Sequence, residues 1–535
     1  MARNESVKSG VLSRLARNEA GNTIAIMAAA LIPFCGVIGS GIDISRAYLM
    51  KTRLQQACDT GVIAGRKMMG TTGTITAGIT QEVRNYVNFN FPQGQLDTSA
   101  FTITPTLGAN DEINLTLATS VPTVMMKIFG KMTMPVSVSC SARNDYSNID
   151  IVLVLDTTGS MSCAPERTDS QCMTWISSNG FTEEVVSGVN VSRMQALRTA
   201  LASLKTQMAT IEAQFALATP GTEKRVRYAI VPFSQMVNPG MSLNSSGTTL
   251  YSRQSSWFNP TMSHPRITTC TGSGRSRTCT TRYSTTHNAS WISSTWDGCV
   301  EERATINTIT PSNKYIMTGP SANLPSGAHD LMIDEAATND ATRWTMADNS
   351  LMTGSYACPK AMRELQEMTS TNFNNYFSAA SGFIPDGRTY LDIGLLWAAR
   401  LLSRTGLWSA DNPTIYHGWP VERYVIFMTD GVMQTESSAY AAYSKESTQM
   451  RTTVDGATGT SDNNHTARWG MICDAIKNMN TKIFAISFSA GSPLSTDMQN
   501  CSSGSGYAFK ADNATQLTQA FKDIGNAIGS LRLSQ

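Results

Sequence analysis

Charged residues are scarce in this chain of 535 amino acids. They make up 15% of the sequence, whereas soluble domains usually carry about 25%. Basic residues number 42 and acidic residues 40, a net charge of 42 − 40 = +2, and no dense basic run occurs. Because nucleic-acid-binding domains are typically strongly basic, we expect no nucleic-acid partner. The apolar share of 41% is ordinary, which argues against a disordered chain and against a polytopic membrane protein.

Several motifs of metal sites and enzymes are also missing. The eleven cysteines include no C-x-x-C pair, and the five histidines stand singly. This argues against zinc ribbons, zinc fingers and thioredoxin-type redox sites. The sequence contains no G-x-S-x-G elbow, no Walker loop and no H-E-x-x-H motif, so the enzyme classes that these motifs mark are not indicated.

An uncharged apolar segment lies near the N-terminus. Residues Thr23–Ser40 read TIAIMAAALIPFCGVIGS, and the next charge is Asp43. A bilayer-spanning helix needs about 20 such residues, and Pro33 is tolerable within one. The alternative is a cleaved signal peptide, but the run is long for one and has no clear cleavage site before Asp43. We therefore predict a retained transmembrane helix over 23–42, with residues 1–22 in the cytoplasm.

Cysteine usage indicates which side of the membrane the rest of the chain occupies. Basic residues flank the span almost equally, so the positive-inside rule does not decide the orientation. Ten cysteines follow the span, and several stand as local pairs in loop-like sequence. Such pairs are typical of an oxidising compartment, although spacing alone leaves free thiols open. The local pairs are Cys163 with Cys172 and Cys270 with Cys279. Cys473 could also bridge to Cys501, and Cys299 to Cys358, although the sequence alone does not give the connectivity. We expect an extracytoplasmic C-terminal part.

Three regions of different character follow the span. The helical pattern continues to about residue 70 as a stalk, and the Gly/Thr-rich segment 71–80 ends it. Over 101–143 short β-prone runs alternate in polarity, so we predict a small β-rich region at 71–147. The remainder, 148–535, has the pattern of one large domain.

In the large domain, apolar runs alternate with amphipathic helices. The runs are of the kind found in buried parallel strands, and they lie at 149–155, 227–233, 423–431 and 482–489. Helical periodicity occurs over 194–211, 391–402 and 517–528. This alternation predicts an α/β fold with a doubly wound, mostly parallel sheet. We expect large loop insertions at about 162–190 and 239–380, either partner-binding loops or a disulfide-tied cover.

Oxygen-bearing side chains collect at the predicted strand ends, where ligands of such sheets bind. Asp156, Thr158 and Ser160 form a D-x-T-x-S motif after the first strand. Thr389 precedes a helix, and Asp430 lies in a T-D-G motif after a later strand. Hydroxyl and carboxylate oxygens suit Mg²⁺. We therefore predict a Mg²⁺ site, with Ca²⁺ and Mn²⁺ as alternatives. The competing interpretation is that the aspartates only cap strand ends and form turns.

This combination resembles the metal-ion-dependent adhesion site (MIDAS) of von Willebrand factor A (VWFA) domains. The resemblance implies a VWFA-type fold in which the hydroxyls of Thr158, Ser160 and Thr389 meet the metal. Asp156 and Asp430 would act directly or through water, and the metal shell would be completed by a carboxylate from a protein partner. Thr158 replaces the commoner serine, which keeps the hydroxyl.

Two enzyme families share parts of this pattern but differ in spacing. Aspartic proteases carry D-T-G-S and a second D-T/S-G, whereas this chain has DTTGS and TDG. Haloacid-dehalogenase phosphatases need D-x-D, and position 158 is threonine. We therefore expect no enzyme activity and keep an Asp-dependent hydrolase only as a distant third hypothesis.

Both ends of the chain resemble TadG-like proteins of the Flp (tight adherence, Tad) pilus system. The N-terminal segment carries R-N-E-A-G-N before the span, then D-x-x-R-A-Y and L-Q-x-A-C-D. The segment 386–403, the C-D-A-I-K helix at 473–477 and the tail from 507 are similar as well. Related TadE-type pseudopilins have glutamate five residues after the glycine that precedes the apolar run. Ile26 stands there in this chain, so we expect no prepilin-type cleavage.

The resemblance implies a single-pass protein of the bacterial inner membrane that takes part in pilus assembly or adhesion. Its C-terminal domain would be periplasmic or surface-facing, and its partner would be a pilus or secretion component. The alternative is an envelope scaffold whose large domain packs against partners without using a metal.

Overall fold

The computed structural model describes most of the chain. The chain divides into two compact units: the first comprises 1–146 and 531–535, and the second comprises Ser147–Ser530. The described residues are 19–69, 74–108, 112–142, 147–215, 225–240, 261–262, 267–271, 278–282, 287–288, 296–339, 341–347, 351–352, 357–490 and 493–529. Most of the segment predicted to be cytoplasmic lies outside them.

The first unit is built around one long helix. Helix α1 (Glu19–Met69) runs from the apolar segment through the predicted stalk and contains Pro33 without ending there. By length and composition it can cross a membrane. Apolar side chains of the segment are exposed, among them Val37 at 73%, as expected of a surface that faces lipid. The prediction of an N-terminal apolar helix is confirmed.

The region predicted to be β-rich also contains a helix. Helix α2 (Ala77–Asn90) begins after Thr76, whose hydroxyl oxygen accepts a hydrogen bond from the Ile79 N–H at 3.3 Å. The helix buries Ile79, Val83 and Val87, which recur every four residues. The predicted β-rich region did not include α2, because the helix starts in a Gly/Thr-rich segment, where threonine acts as a cap and not as a helix breaker.

Strands follow in the second half of this region. They are β1 (Thr106–Leu107), β2 (Ile113–Pro122) and β3 (Thr133–Ala142), with short 3₁₀ helices at Gln95–Asp97 and Met126–Phe129. The three strands form an antiparallel sheet in the order β1-β2-β3. Its buried face shares one hydrophobic core with α1 and α2, and a disulfide between Cys58 and Cys140 joins α1 to β3.

The second unit centres on a mostly parallel sheet. Its strands are β4 (Asn148–Asp156), β7 (Val226–Phe233), β14 (Arg363–Gln366), β15 (Ile415–Tyr416), β16 (Trp419–Thr429), β17 (Lys482–Phe488) and β18 (Ala508–Ala511). The order is β14-β7-β4-β16-β17-β18. All neighbours are parallel except β14 on β7, and β15, which pairs with β16. The predicted mixed α/β architecture with parallel strands is confirmed.

Helices of two lengths accompany this sheet. The longer ones are α3 (Asp169–Asn179), α4 (Arg193–Phe215), α6 (Leu391–Leu402), α8 (Thr458–Asn478) and α10 (Ala514–Gly529). The shorter ones are α5 (Ser370–Tyr376), α7 (Glu446–Gln449) and α9 (Thr496–Cys501), with 3₁₀ turns at Gly159–Ser162, Ala379–Ser381, Ser409–Asp411 and Ser505–Tyr507. Helices α6 and α8 share a hydrophobic core with Val152 and Val154 of β4, whereas α4 and α10 pack on each other.

Short strands and disulfides organise the segments predicted to be insertions. The strands are β5 (Val185–Val186), β6 (Val189–Asn190), β8 (Thr261–Met262), β9 (Ile267–Thr271), β10 (Thr278–Arg282), β11 (His287–Asn288), β12 (Val300–Glu301) and β13 (Thr345–Met346). The predicted disulfides Cys163–Cys172, Cys299–Cys358 and Cys473–Cys501 are present. Cys270 and Cys279 occupy opposed positions in the antiparallel pair β9–β10.

Part of the second insertion belongs to the core of the domain. The fully buried carboxylate of Glu302 accepts hydrogen bonds of 2.9 and 2.8 Å from Arg400 of α6. The buried carboxylate of Asp330 accepts hydrogen bonds from Arg468 of α8 at 2.5 Å and from the Tyr443 hydroxyl at 2.7 Å. Buried charges need such partners to remain ionised in a protein interior. This part of the insertion is therefore built into the domain by more than a disulfide.

Candidate functional site

Two adjacent parallel strands end in aspartates at one edge of the sheet. Strand β4 ends at Asp156, and Asp430 directly follows β16. Both residues are completely buried. The chain order of the strands changes direction between β4 and β16, since β7 follows β4 on one side and β17 follows β16 on the other. Open α/β sheets bind ligands at such a point.

Hydrogen bonds join the two predicted motifs. One carboxylate oxygen of Asp156 accepts from the Thr158 N–H at 2.8 Å, and the other accepts from the Thr429 hydroxyl at 2.6 Å. Ser160 donates its hydroxyl to Oδ1 of Asp430 at 2.7 Å. The hydroxyl oxygens of Thr158 and Ser160 lie 3.0 Å apart. The structure thus brings four of the predicted residues together in one network of oxygen atoms.

Thr389 lies beside this network, in the loop that precedes α6. Its backbone exchanges hydrogen bonds of 3.1 and 2.9 Å with that of Gln434, and it lines one cavity together with Thr158 and Ser160. Gly387 has a φ of +85°, and a Cβ there would lie 1.8 Å from the side-chain oxygen of Gln235. Glycine is therefore required in this loop, which places Thr389 beside the D-x-T-x-S motif.

Arg193 is a member of the site that the sequence analysis missed. It opens α4, and its Nη1 donates to Oδ2 of Asp430 at 2.9 Å. The side chains of this pair are 1% and 0% exposed, and Nη2 donates to the carbonyl of Arg167 at 2.7 Å. In the sequence Arg193 only precedes an amphipathic helix, so nothing local marks it as a buried charge.

The surroundings of the two carboxylates disfavour their ionisation. Burial raises the pKa of Asp156 to about 7, and the nearby charge of Asp430 acts in the same direction, against the hydrogen bonds from Thr158 and Thr429. Burial also raises the pKa of Asp430, although Arg193 and Ser160 oppose this shift. A cation at this place would favour the ionised forms.

The donor set fits a small hard cation. Carboxylate and hydroxyl oxygens are the ligands that Mg²⁺ prefers, at about 2.1 Å and in octahedral geometry. Neighbouring ligands of such a shell are about 3 Å apart, which is the separation of the Thr158 and Ser160 hydroxyl oxygens. Among the described residues Asp297, Cys299 and Cys358 also gather closely, but the two cysteines form a disulfide and offer no thiolate.

A cavity of about 250 Å³ opens beside the motif. Its lining combines motif residues with an apolar wall and one arginine, namely Thr158, Gly159, Ser160, Met173, Ile176, Phe181, Gly387, Arg388, Thr389 and Gln434. The wall comes from the first insertion, where the Cys163–Cys172 disulfide ties α3 to the segment after the motif. A Cβ on Gly159 would lie 2.1 Å from the ring of Phe181, so glycine is required for this close contact.

The N-terminal segment matches a known family. Residues 21–67 match the Tad family, described as Flp pilus-assembly TadE/G-like. The chain therefore carries a TadE/G-like pilus-assembly segment at its N-terminus, which confirms this part of the resemblance. Together with α1, the match is consistent with membrane anchoring.

Comparisons with whole proteins are remote. A crystal structure of the pilus adhesin SpaC from Lactobacillus rhamnosus GG is 12% identical, with a TM-score of 0.32, over 81% of this chain and 34% of that chain. Its open conformation is 11% identical, with a TM-score of 0.31, over 80% of this chain and 33% of that chain. The chain thus spans about a third of the adhesin's length. No curated protein matches the sequence.

Proposed function

We propose that this protein is a membrane-anchored component of Flp (Tad) pilus assembly or adhesion and is not an enzyme. We further propose that its second unit is a VWFA-type domain that binds Mg²⁺ and, through the metal, a carboxylate of a pilus or secretion component. The observation that carries the proposal is the convergence of Asp156, Ser160 and Asp430 at one sheet edge. Helix α1 would anchor the protein in the inner membrane, with the second unit on the extracytoplasmic side.

The strand order supports the fold assignment. When the strands are numbered along the chain, with the short β15 left out, the sheet order β14-β7-β4-β16-β17-β18 becomes 3-2-1-4-5-6. This is the common order of doubly wound sheets, whose ligand crevice lies between strands 1 and 4. The site residues lie at the corresponding strands, β4 and β16.

The charges of the site favour an acidic ligand. Asp156, Thr158, Ser160, Thr389 and Asp430 would hold the ion, and Arg193 contributes one further positive charge beside Asp430. Two ionised carboxylates, one guanidinium and one divalent cation sum to a net charge of about +1, which attracts a carboxylate. When bound, Mg²⁺ would supply a coordination position for that group.

The apolar side of the cavity indicates which kind of residue would lie next to the partner's carboxylate. A cavity of 150 Å³ lined by apolar side chains is enough to hold benzene, and this one measures about 250 Å³. There is room for a carboxylate and a neighbouring apolar side chain against Met173, Ile176 and Phe181. The proposed partner segment is therefore acidic with an adjacent apolar residue.

Calorimetric titration of Mg²⁺ into the oxidatively folded chain tests the metal site. We expect binding heat in the parent protein and none in Asp156→Ala, because this variant loses a carboxylate that joins both motifs. Asp474→Ala is the matched control, since Asp474 is partly exposed on α8 and pairs only with Lys477 among the described contacts. Equal binding by parent and Asp156→Ala would contradict the metal site.

Phenotypes separate the proposed function from its alternatives. Deletion of the gene is expected to reduce surface pili or adhesion, and normal piliation would contradict a pilus function. If Asp156→Ala reproduces the deletion, the metal site is needed. If only the deletion has a phenotype, the metal-independent scaffold is favoured. Hydrolysis of casein or a phosphate ester that is lost in Asp430→Ala would favour the hydrolase hypothesis.

The stabilisation by Mg²⁺ is expected to increase with pH. The pKa of Asp156 is raised to about 7 in the folded protein. Without metal, the folded protein favours the protonated Asp156 side chain. The stability that this protonated group contributes is therefore present at low pH and is lost as the pH rises through about 7. A bound cation must displace the proton, so binding strengthens over the same range. Melting temperatures with and without Mg²⁺ between about pH 5 and pH 8 would measure this, and a pH-independent increment would contradict it.

A further inference from the structure

The connection between β2 and β3 presents large apolar side chains to the outside of the first unit. This β2–β3 tip comprises residues 123–132 and contains the 3₁₀ turn Met126–Phe129. Ile128, Phe129 and Met132 are 76%, 55% and 65% exposed. So much exposed apolar area on a short turn is unfavourable in water and typical of a surface that contacts a partner or a membrane.

Asp43 fixes the position of the tip against α1. It is the first charged residue after the apolar segment, and its side chain is buried within the unit. Its carboxylate accepts the backbone N–H groups of Val124, Met125 and Met126 at 2.8, 3.0 and 2.8 Å. Three hydrogen bonds to one carboxylate hold the tip at the boundary between the apolar segment and the stalk.

Two glycines of α1 let the tip lie alongside the apolar segment. A Cβ on Gly39 would lie 2.6 Å from Cβ of Met125, and one on Gly36 would lie 3.0 Å from the ring of Phe129. Gly36 precedes Asp43 by two helical turns, which is about 10 Å along the helix axis. Phe129 therefore lies beside the apolar segment, about 10 Å from its charged boundary.

We propose that the β2–β3 tip inserts into the same bilayer leaflet that α1 leaves at Asp43. The apolar segment needs its full length to cross the hydrocarbon core, so whatever packs beside Gly36 lies within the membrane. Val37 and Ile38 follow Gly36 on α1 and are 73% and 56% exposed, so both the helix and the tip present apolar side chains to lipid.

The charges on the tip suit an interfacial position. Lys127 and Lys131 are exposed and alternate with the apolar residues. Lysine stems can lie along apolar surface while the ammonium group reaches the phosphate level, and anionic lipids attract such groups. The tip would thus be a second membrane attachment that limits rotation of the stalk. Insertion of the tip rests on the proposed anchoring of the chain by α1 and is independent of the metal site.

Quenching by brominated lipids tests the insertion. The full chain is placed in phosphatidylcholine nanodiscs with or without bromine on the acyl chains, and the variant Ile128→Trp reports on the tip. All nine native tryptophans lie in the second unit, and the parent protein supplies their background. Leu107→Trp is the control, because Leu107 is 48% exposed on β1 beside the other end of β2, about 30 Å from the tip.

We expect the added indole of Ile128→Trp to emit at shorter wavelength and to lose emission in brominated lipid, and that of Leu107→Trp to do neither. A blue-shifted but unquenched indole at the tip would mean that protein covers it, for example a second copy, and would overturn the proposal. An unshifted, unquenched indole would place the tip in water and overturn it too. Met132→Trp carries the same expectation should Ile128→Trp fail to fold.

Discussion

Replacing Arg193 by methionine is expected to destabilise the metal-free protein by about 3–5 kcal/mol, the usual cost of leaving one partner of a buried ion pair alone. Arg193 and Asp430 are 1% and 0% exposed and 2.9 Å apart. The variant removes the cation that pairs with Asp430, so Mg²⁺ should restore more stability to Arg193→Met than it adds to the parent. Urea unfolding with and without Mg²⁺ measures both effects.

Arg198→Met is the matched control on the same helix. Arg198 pairs with Glu183 and donates to the carbonyls of Phe377 and Phe383, away from the two aspartates. Its loss should also destabilise the protein, but Mg²⁺ should stabilise this variant no more than it stabilises the parent. Equal Mg²⁺ increments in Arg193→Met and Arg198→Met would contradict a cation site beside Asp430.

Breaking the Glu302–Arg400 pair is expected to have an effect of similar size. The two hydrogen bonds measure 2.9 and 2.8 Å, and the side chains are 0% and 1% exposed. Arg400→Met alone should cost about 3–5 kcal/mol because it leaves a carboxylate buried and unpaired. The double variant Glu302→Leu/Arg400→Met should recover much of this loss, since apolar replacement of a buried pair is often nearly neutral.

Comparing these variants tests whether the second insertion unfolds together with the sheet of the second unit. Lys477→Met is the control, because its pair with Asp474 is partly exposed and should contribute less than about 1 kcal/mol. Chemical denaturation followed by far-UV circular dichroism compares the variants. A loss of less than about 1 kcal/mol in Arg400→Met would show that the insertion opens without unfolding the sheet.

The sequence by itself determined two kinds of element: helices that bury one face, and segments that are apolar along a continuous stretch. The apolar run of α1, the fully buried β4 and the periodic face of α10 are local patterns. Burial of a face requires apolar residues at the period of that element, so the pattern can be read directly. The same holds for Asp156 and Asp430, because parallel strands bring their carboxyl ends to one edge.

Tertiary structure alone decided which distant side chains meet. Arg193 and Asp430 are 237 residues apart in sequence, Cys58 and Cys140 are 82 apart, and no local pattern pairs them. In the sequence, Asp43 only marks the end of an apolar segment. The structure shows that its carboxylate accepts three N–H groups of the β2–β3 tip. The sequence around a polar residue does not identify its partner. A hydrogen bond or ion pair depends on where two elements are placed in the fold, and not on the spacing of apolar residues in either element.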